Sequence, residues 1–235
     1  MSLPITVLAG GLATRLRPLT DSVPKSLIEV AGKPFIFHQL EWLSRQGIVD
    51  VVLCVGNRGN EIQAAVGDGD RWGLKVQYSY DGPSLRGTAG AVRGALPLLG
   101  EAFFVMYGDS YLRCDLVAIE AAFRSSRKPA LMTVLRNEGQ WDTSNVLMDG
   151  ENLRLYEKRH PTAEMQHIDY GLSVLTPEAL DVEPEATDLA RVYESLAREG
   201  RLAAFLVQDR FYEIGSPQGL AETREFLEKQ TLELH

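Results

Sequence analysis

Short runs of unbroken apolar residues, returning at intervals along the chain, constrain its fold more than any other feature. Asp50 to Val55 (DVVLCV), Ala102 to Tyr107 (AFFVMY) and Ala130 to Leu135 (ALMTVL) leave almost no polar residue to mark an exposed face. A strand with that pattern is covered on both sides, as the strands of a parallel sheet are. Ile5 to Leu8 reads the same way. Helical spacing fills the intervals. Pro34 to Gln46 puts Ile36, Leu40 and Leu43 on one face and stops at Gly47, a residue suited to a helix C-terminus. Glu61 to Val66, Ala89 to Leu99 with Thr88 as N-cap, and Leu116 to Arg124 read as helices, and Leu74 to Tyr80 as an alternating strand. The second half is less regular: short strands at Asn145 to Met148, Leu153 to Tyr156 and Gly171 to Leu175 come first. A helix at Leu189 to Glu199, a strand at Ala203 to Val207 and a closing helix at Leu220 to Glu228 follow. The expected class is α/β, a Rossmann-like, mostly parallel sheet flanked by helices with a small mixed-strand lid. A length of 235 residues suits one large domain, residues 1–235.

The chain leaving the first strand, Leu8 to Thr20 (LAGGLATRLRPLT), gathers two glycines, a small residue at Ala13, the Thr14 hydroxyl and two arginines. Pro24-Lys25 adds a further cation. A glycine-rich turn after a strand lets backbone N–H groups approach an anion closely, since no Cβ intervenes. Arg15 and Lys25 can neutralise what those amides hold, and a guanidinium suits phosphate oxygens. The window therefore predicts a polyphosphate site at the end of the first strand. Neither GxxxxGK[ST] nor GxGxxG occurs, so the P-loop and the dinucleotide fingerprint are set aside.

Composition narrows the rest. A net charge of −8 argues against a broad nucleic-acid-binding surface, which needs a basic face. No apolar run approaches the ~20 residues that span a bilayer, and no leader pattern opens the chain. Cys54 and Cys114 lack metal-ligand spacing and fit a reducing, cytoplasmic setting as packed thiols. His38, His160, His167 and His235 show no metal spacing either, and Trp42, Trp72 and Trp141 read as packing residues. Tyr107-Gly108-Asp109-Ser110 ends a buried strand, the edge where open α/β sheets bind ligands. Asp109 could hold Mg²⁺ there, which takes one or two protein carboxylates and keeps its waters; a plain Gly-Asp-Ser turn is the alternative. Gly87-Thr88-Ala89-Gly90 exposes bare backbone at a helix start, where N–H groups can read a base edge or bind an anion.

GGLATRLRPLT followed by VPKSLIEVAGKP resembles the opening of the sugar-1-phosphate nucleotidyltransferases, or NDP-sugar pyrophosphorylases, written GGxGTRLxPLT with a downstream PK. Ala13 stands where that family more often has glycine, which implies a slightly less constrained turn. The resemblance covers nearly the whole chain. It implies a nucleotide-binding half over about residues 1–115 and a sugar-binding part over about 130–215. The chain stops where longer relatives add a left-handed β-helix, so no second acyltransferase activity is expected.

The same resemblance implies the site. Leu8, Ala9, Gly10, Gly11 and Thr14 would meet the NTP, and Arg15 its β- and γ-phosphates. Lys25 would bridge the α-phosphate and the attacking group. Asp109 would be the first metal ligand, and Glu213 in FYEIGSP, where the family's W-x-D-x-G-T-P has aspartate, the second. The Glu157-Lys158-Arg159 segment resembles the family's EKP, whose Lys contacts the sugar phosphate. Asp81, Gly87 and Thr88 fall in the base-binding segment, and an acidic acceptor at Asp81 would suit the N1–H and N2–H of guanine. Asn145, Asp169 and Gly171 align with the hexose pocket. The implied reaction joins an NTP and a sugar 1-phosphate, with Mg²⁺, into an NDP-sugar and pyrophosphate. GTP with a mannose or heptose 1-phosphate comes first, UTP with glucose or MurNAc 1-phosphate second. Two alternatives stand beside it: transfer to a non-sugar phosphate, and a catalytically silent nucleotide-sugar sensor. No nucleic acid or membrane partner is expected, and a homo-oligomer is left open.

Overall fold

The computed structural model describes residues 2–150 and 152–233. Its first half runs β1 (Ile5–Leu8), α1 (Leu19–Ser22), β2 (Glu29–Val30), β3 (Lys33–Pro34), α2 (Phe35–Arg45), β4 (Asp50–Val55), α3 (Gly59–Val66), β5 (Lys75–Tyr80), α4 (Gly87–Ala95) and β6 (Phe103–Tyr107). The second runs β7 (Ser110–Tyr111), α5 (Leu116–Ser126), β8 (Ala130–Arg136), β9 (Val146–Asp149), β10 (Asn152–Tyr156), β11 (His167–Leu175), α6 (Leu189–Arg198), β12 (Leu202–Val207), β13 (Tyr212–Glu213) and α7 (Pro217–Glu233). The sequence patterns explain the boundaries. Gly47 ends α2 with φ +78°. Asp115 caps α5 by accepting from Val117 N at 2.9 Å, and Asp188 caps α6 by accepting from Ala190 N at 3.0 Å.

In the main sheet β5, β4, β1 and β6 lie side by side and parallel. β11 pairs antiparallel with β6 on one edge and with β8 on the other, and β12 continues parallel to β8. The β9–β10 hairpin branches off where Val146 meets His167. The mostly parallel sheet is covered on both faces, as the unbroken apolar runs require. Alternate residues of β6 go to opposite cores: Phe104 and Met106 to one with α2, Phe103 and Val105 to the other with α6. Among the first four strands of this sheet the spatial order is 3-2-1-4, so the chain reverses direction of travel across the sheet between β1 and β6. Ligands bind in the crevice beyond the strand ends at such a switch point.

Four features depart from the sequence reading. The strand expected at Gly171 to Leu175 begins at His167, because β8 and β9 supply partners for its polar start. The helix expected over Ala89 to Leu99 starts at Gly87, and its last turn, Leu96–Leu98, tightens to a 3₁₀ helix at Pro97. Thr88 does not cap it; Arg86 stands at that position. Ala13 does not occupy a relaxed turn, since its φ of +48° and ψ of +43° lie in the left-handed region. A Cβ there costs roughly 1–2 kcal/mol, against roughly 0.4–1 kcal/mol for the extra freedom glycine would have unfolded. Ala13→Gly is therefore expected to stabilise the protein by about 0.5–1 kcal/mol, read as a higher denaturant midpoint at unchanged slope.

Candidate active site

Two cavities open at the carboxyl ends of the strands. The register sets the first: Leu8 lies level with Cys54 of β4 and with Tyr107 of β6, so the chain leaves three strands on one line. Its walls include Leu8, Ala9, Gly10 and Gly11 after β1, Gly108 and Asp109 after β6, and Asp81, Gly87 and Thr88 around α4. Gly10 is packed hard: a Cβ there would stand 2.9 Å from Gly56 N and 3.4 Å from Asp81 Oδ2. Asp81 is only 7% exposed, and burial pushes its carboxyl up, held back by the Arg86 backbone N–H. Arg86 Nε also donates to the Asp81 carbonyl at 2.9 Å, closing the loop between them.

Gly87 and Thr88 fix this wall to the second half of the chain. Gly87 has φ +71°, and a Cβ on it would overlap the Thr187 carbonyl. The Thr88 hydroxyl accepts from Leu189 N at 2.8 Å and donates to Asp188 Oδ1 at 3.1 Å, so it serves the start of α6. Cys54 lines the same cavity as a packed thiol, pushed up to about 11 by burial.

Asp109 and Tyr107 also line the second cavity, together with Arg15, Asn145, Lys158, Asp169, Gly171 and Glu213. Lys25 Nζ sits 2.7 Å from Asp109 Oδ2. A two-residue ladder, Glu213 opposite Ser110 and Tyr212 opposite Tyr111, brings the late segment here, and Ile214 N donates to the Asp109 carbonyl at 2.9 Å. The Glu213 carboxylate accepts from Gly215 N and from Ser216 Oγ. One point shows how closely the groups converge. A Cβ on Gly215 would stand 2.7 Å from Glu213 Oε2, 3.1 Å from Asp109 Oδ2 and 3.2 Å from an Arg15 Nη. Among the described residues no group of three or more His, Cys, Asp and Glu could hold a metal. Two carboxylates with only oxygen donors nevertheless fit a hard divalent cation that fills its other positions with water or phosphate oxygen.

The wall of the second cavity around Asn145, Asp169 and Gly171 is built by hydrogen bonds. Asn145 Oδ1 accepts from Asp169 N at 3.0 Å, and Asp169 Oδ1 accepts from Gly171 N at 2.9 Å. Burial pushes the Asp169 carboxyl up, with the Gly171 N–H and the Lys158 charge opposing it. Glu157 lines neither cavity: it accepts from Arg159 N at 2.9 Å and His160 N at 3.2 Å, and these donors lower its carboxyl. Thr14 is exposed and also off both walls, and Arg15 lines the second cavity alone. Trp141, expected to pack, is instead 38% exposed on the second wall. Arg210, which no pattern flagged, lies 4.5 Å from the Tyr212 ring and pairs with Glu222 at 2.7 Å. His235 lies outside the described residues. No helix among the described residues is long and apolar enough to cross a membrane.

The model of the nucleotidyl transferase family matches residues 5–230. A glucose-1-phosphate thymidylyltransferase of Streptomyces antibioticus is 39% identical over 176 residues, covering 73% of this chain and 49% of that protein. A mannose-1-phosphate guanyltransferase beta-B of Xenopus laevis is 29% identical over 220 residues, covering 90% of this chain and 61% of its own length. The chain thus spans about half to three fifths of these relatives. Among solved structures, HddC from Yersinia pseudotuberculosis complexed with GMP-PN superposes with a TM-score of 0.77 at 21% identity, over 96% of this chain and 99% of that one. The fold is shared.

Asp169 gives a test in stability. A carboxyl raised by burial binds its proton more tightly folded than unfolded, so it costs stability as pH rises through the folded value. Asp169→Asn carries no such charge and keeps the carbonyl that Gly171 N needs. Its melting temperature relative to the parent protein is expected to rise as pH climbs from about 4, the range of an unfolded aspartate, through the raised folded value, and to level off above it. A difference that is flat with pH would contradict this.

Proposed function

The chain belongs to the nucleotidyl transferase family, and we propose that it transfers a nucleoside monophosphate from an NTP to a sugar 1-phosphate, releasing pyrophosphate. The observation that carries this reading is the place of Asp109, on the wall common to both cavities, with Lys25, Arg15 and Glu213 around it. A nucleotide held in the first cavity and a sugar phosphate in the second would meet at that carboxylate. In the reaction an acceptor phosphate oxygen attacks the α-phosphorus, and the bond to the β-phosphate oxygen breaks with its electron pair going to pyrophosphate. Such a displacement asks for positioning and charge neutralisation more than for covalent help.

The chain's own groups supply both. The backbone of Gly10 and Gly11 would cradle the phosphates. Lys25 would hold the α-phosphate and the incoming oxygen together, Arg15 would neutralise the departing pyrophosphate, and Lys158 would steer the sugar phosphate. Asn145, Asp169 and Gly171 would meet the sugar hydroxyls. Family members generally use a divalent metal, and Asp109 and Glu213 would hold it here, Mg²⁺ in this reading. Bound there, such an ion neutralises phosphate charge.

For the base, the acidic acceptor at Asp81 favours guanine, which offers two N–H donors on one edge where a pyrimidine offers one. GTP with a mannose or heptose 1-phosphate is thus the first assignment. UTP with glucose or MurNAc 1-phosphate is the second, and the 39% identity to a glucose-1-phosphate thymidylyltransferase supports a pyrimidine nucleotide and glucose 1-phosphate. Incubating the protein with each NTP, Mg²⁺ and a panel of sugar 1-phosphates while following pyrophosphate tests the activity. Release is expected for one pairing, and Asp109→Ala should lower kcat/KM by at least about 100-fold. Silence across the panel, or full activity in that variant, would refute the reading. Asp81→Asn should reduce selectivity for GTP over UTP by about tenfold or more, measured as the ratio of their kcat/KM.

A further inference from the structure

Glu213 does not extend straight from its short strand. Its side chain folds back over the turn that leads into α7, where Gly215 N and Ser216 Oγ hold the carboxylate, and Thr223 Oγ1 of α7 donates to its main-chain carbonyl at 2.7 Å. Ser216 Oγ in turn accepts from Gly219 N at 3.0 Å. The space the carboxylate fills exists only because residue 219 has no side chain. A Cβ on Gly219 would overlap Glu213 Oε1 and Cδ, and would lie 2.8 Å from the Glu213 carbonyl oxygen. Beyond that side chain only the close main-chain carbonyl of Glu213 calls for glycine: the position lies in the helix, and its φ is not positive. Inside a helix glycine costs roughly 1 kcal/mol relative to alanine.

We infer that Gly219 is a positioning residue for the cation site: its missing side chain lets a glutamate retract by about the length of its extra methylene. The carboxylate then ends beside Asp109 Oδ2. This deepens the proposed function, and it rests on the reading that Glu213 holds the divalent cation. Any side chain at 219 expels the carboxylate from its pocket and separates it from its two donors. An aspartate at 213, one methylene shorter, ends short of that space, so alanine at 219 then meets only the main-chain carbonyl of residue 213. Residues 213 and 219 are therefore coupled.

The test is a double-mutant cycle read by Mn²⁺ binding, with free Mn²⁺ followed by electron paramagnetic resonance, and by kcat/KM and thermal melting. Gly219→Ala should weaken Mn²⁺ binding about tenfold, the scale on which groups that orient a ligand act. Its melting temperature should not fall in proportion, because alanine favours the helix. In the Glu213→Asp background the same change should alter Mn²⁺ affinity less than about threefold, which a general disturbance of α7 would not produce. Wild-type Mn²⁺ affinity in Gly219→Ala, or equal losses in both backgrounds, would overturn the inference. Glu213→Gln separates this from failure of the underlying reading. If that variant loses Mn²⁺ affinity while Gly219→Ala does not, only the inference about Gly219 fails. If it binds Mn²⁺ like the parent protein, Glu213 is no ligand and both fall.

Discussion

Ile5 to Leu8 takes backbone hydrogen bonds from two parallel neighbours at once, β4 on one side and β6 on the other. Ile5 and Val7 are almost wholly buried, and Thr6 keeps its hydroxyl satisfied by the Val52 carbonyl at 3.2 Å. A strand held on both edges cannot slip without breaking two ladders and exchanging the buried Thr6 with its apolar neighbours between two packed cores. Its end is therefore one of the best-fixed points in the molecule. The chain beyond it carries on in the same register: Ala9 N donates to the Cys54 carbonyl at 2.8 Å, and Gly108 N to the Leu8 carbonyl at 3.1 Å. The glycine-rich turn starts from a rigid edge, which is what a close-fitting anion site needs.

Of the two carboxylates that converge on the shared wall, that edge supplies only Asp109. The partner arrives from a distant part of the chain through a ladder of only two residue pairs, Tyr212 with Tyr111 and Glu213 with Ser110. So short a ladder does not hold by itself. It is backed by aromatic contact, with the Tyr212 and Phe226 rings stacked at 3.9 Å between centroids, and by the burial of Ile214 and Leu220. The convergence of Asp109 and Glu213 thus depends on packing by α7, which follows directly after the short strand.

The sheet was legible because strands covered on both faces carry uninterrupted apolar runs, and those runs mark β1, β4, β6 and β8 closely. The glycine-rich exit was legible because residue type and position are enough to mark it. Other features left no such trace. A two-residue strand has no period, so β7 and β13 could not be read as partners. The polar start of β11 hid a strand, because Asp169 and His167 face a cavity or a hairpin and not a core. Trp141 and Arg210 are cavity-wall residues, and a wall assembled from loops has no spacing rule. Ala13 shows another limit: a motif reports which residue stands at a turn, but not the dihedral angles that the surrounding packing imposes on it.

Charge placement ties these parts together. The chain carries a net charge of −8, yet Arg15, Lys25 and Lys158 reach the two cavities alongside Asp109, Asp169 and Glu213. With Arg210, four cations line the two cavities against six carboxyls, Asp81, Asp142 and Glu222 being the others, and Lys25 is already engaged by Asp109 at 2.7 Å. A polyphosphate brought there would compete with Asp109 for Lys25. A divalent ion entering with it would take over the freed carboxylate, so each arrival compensates the group the other displaces. On this account the nucleotide and the ion bind more tightly together than either does alone, a linkage that follows from one shared lysine–aspartate pair.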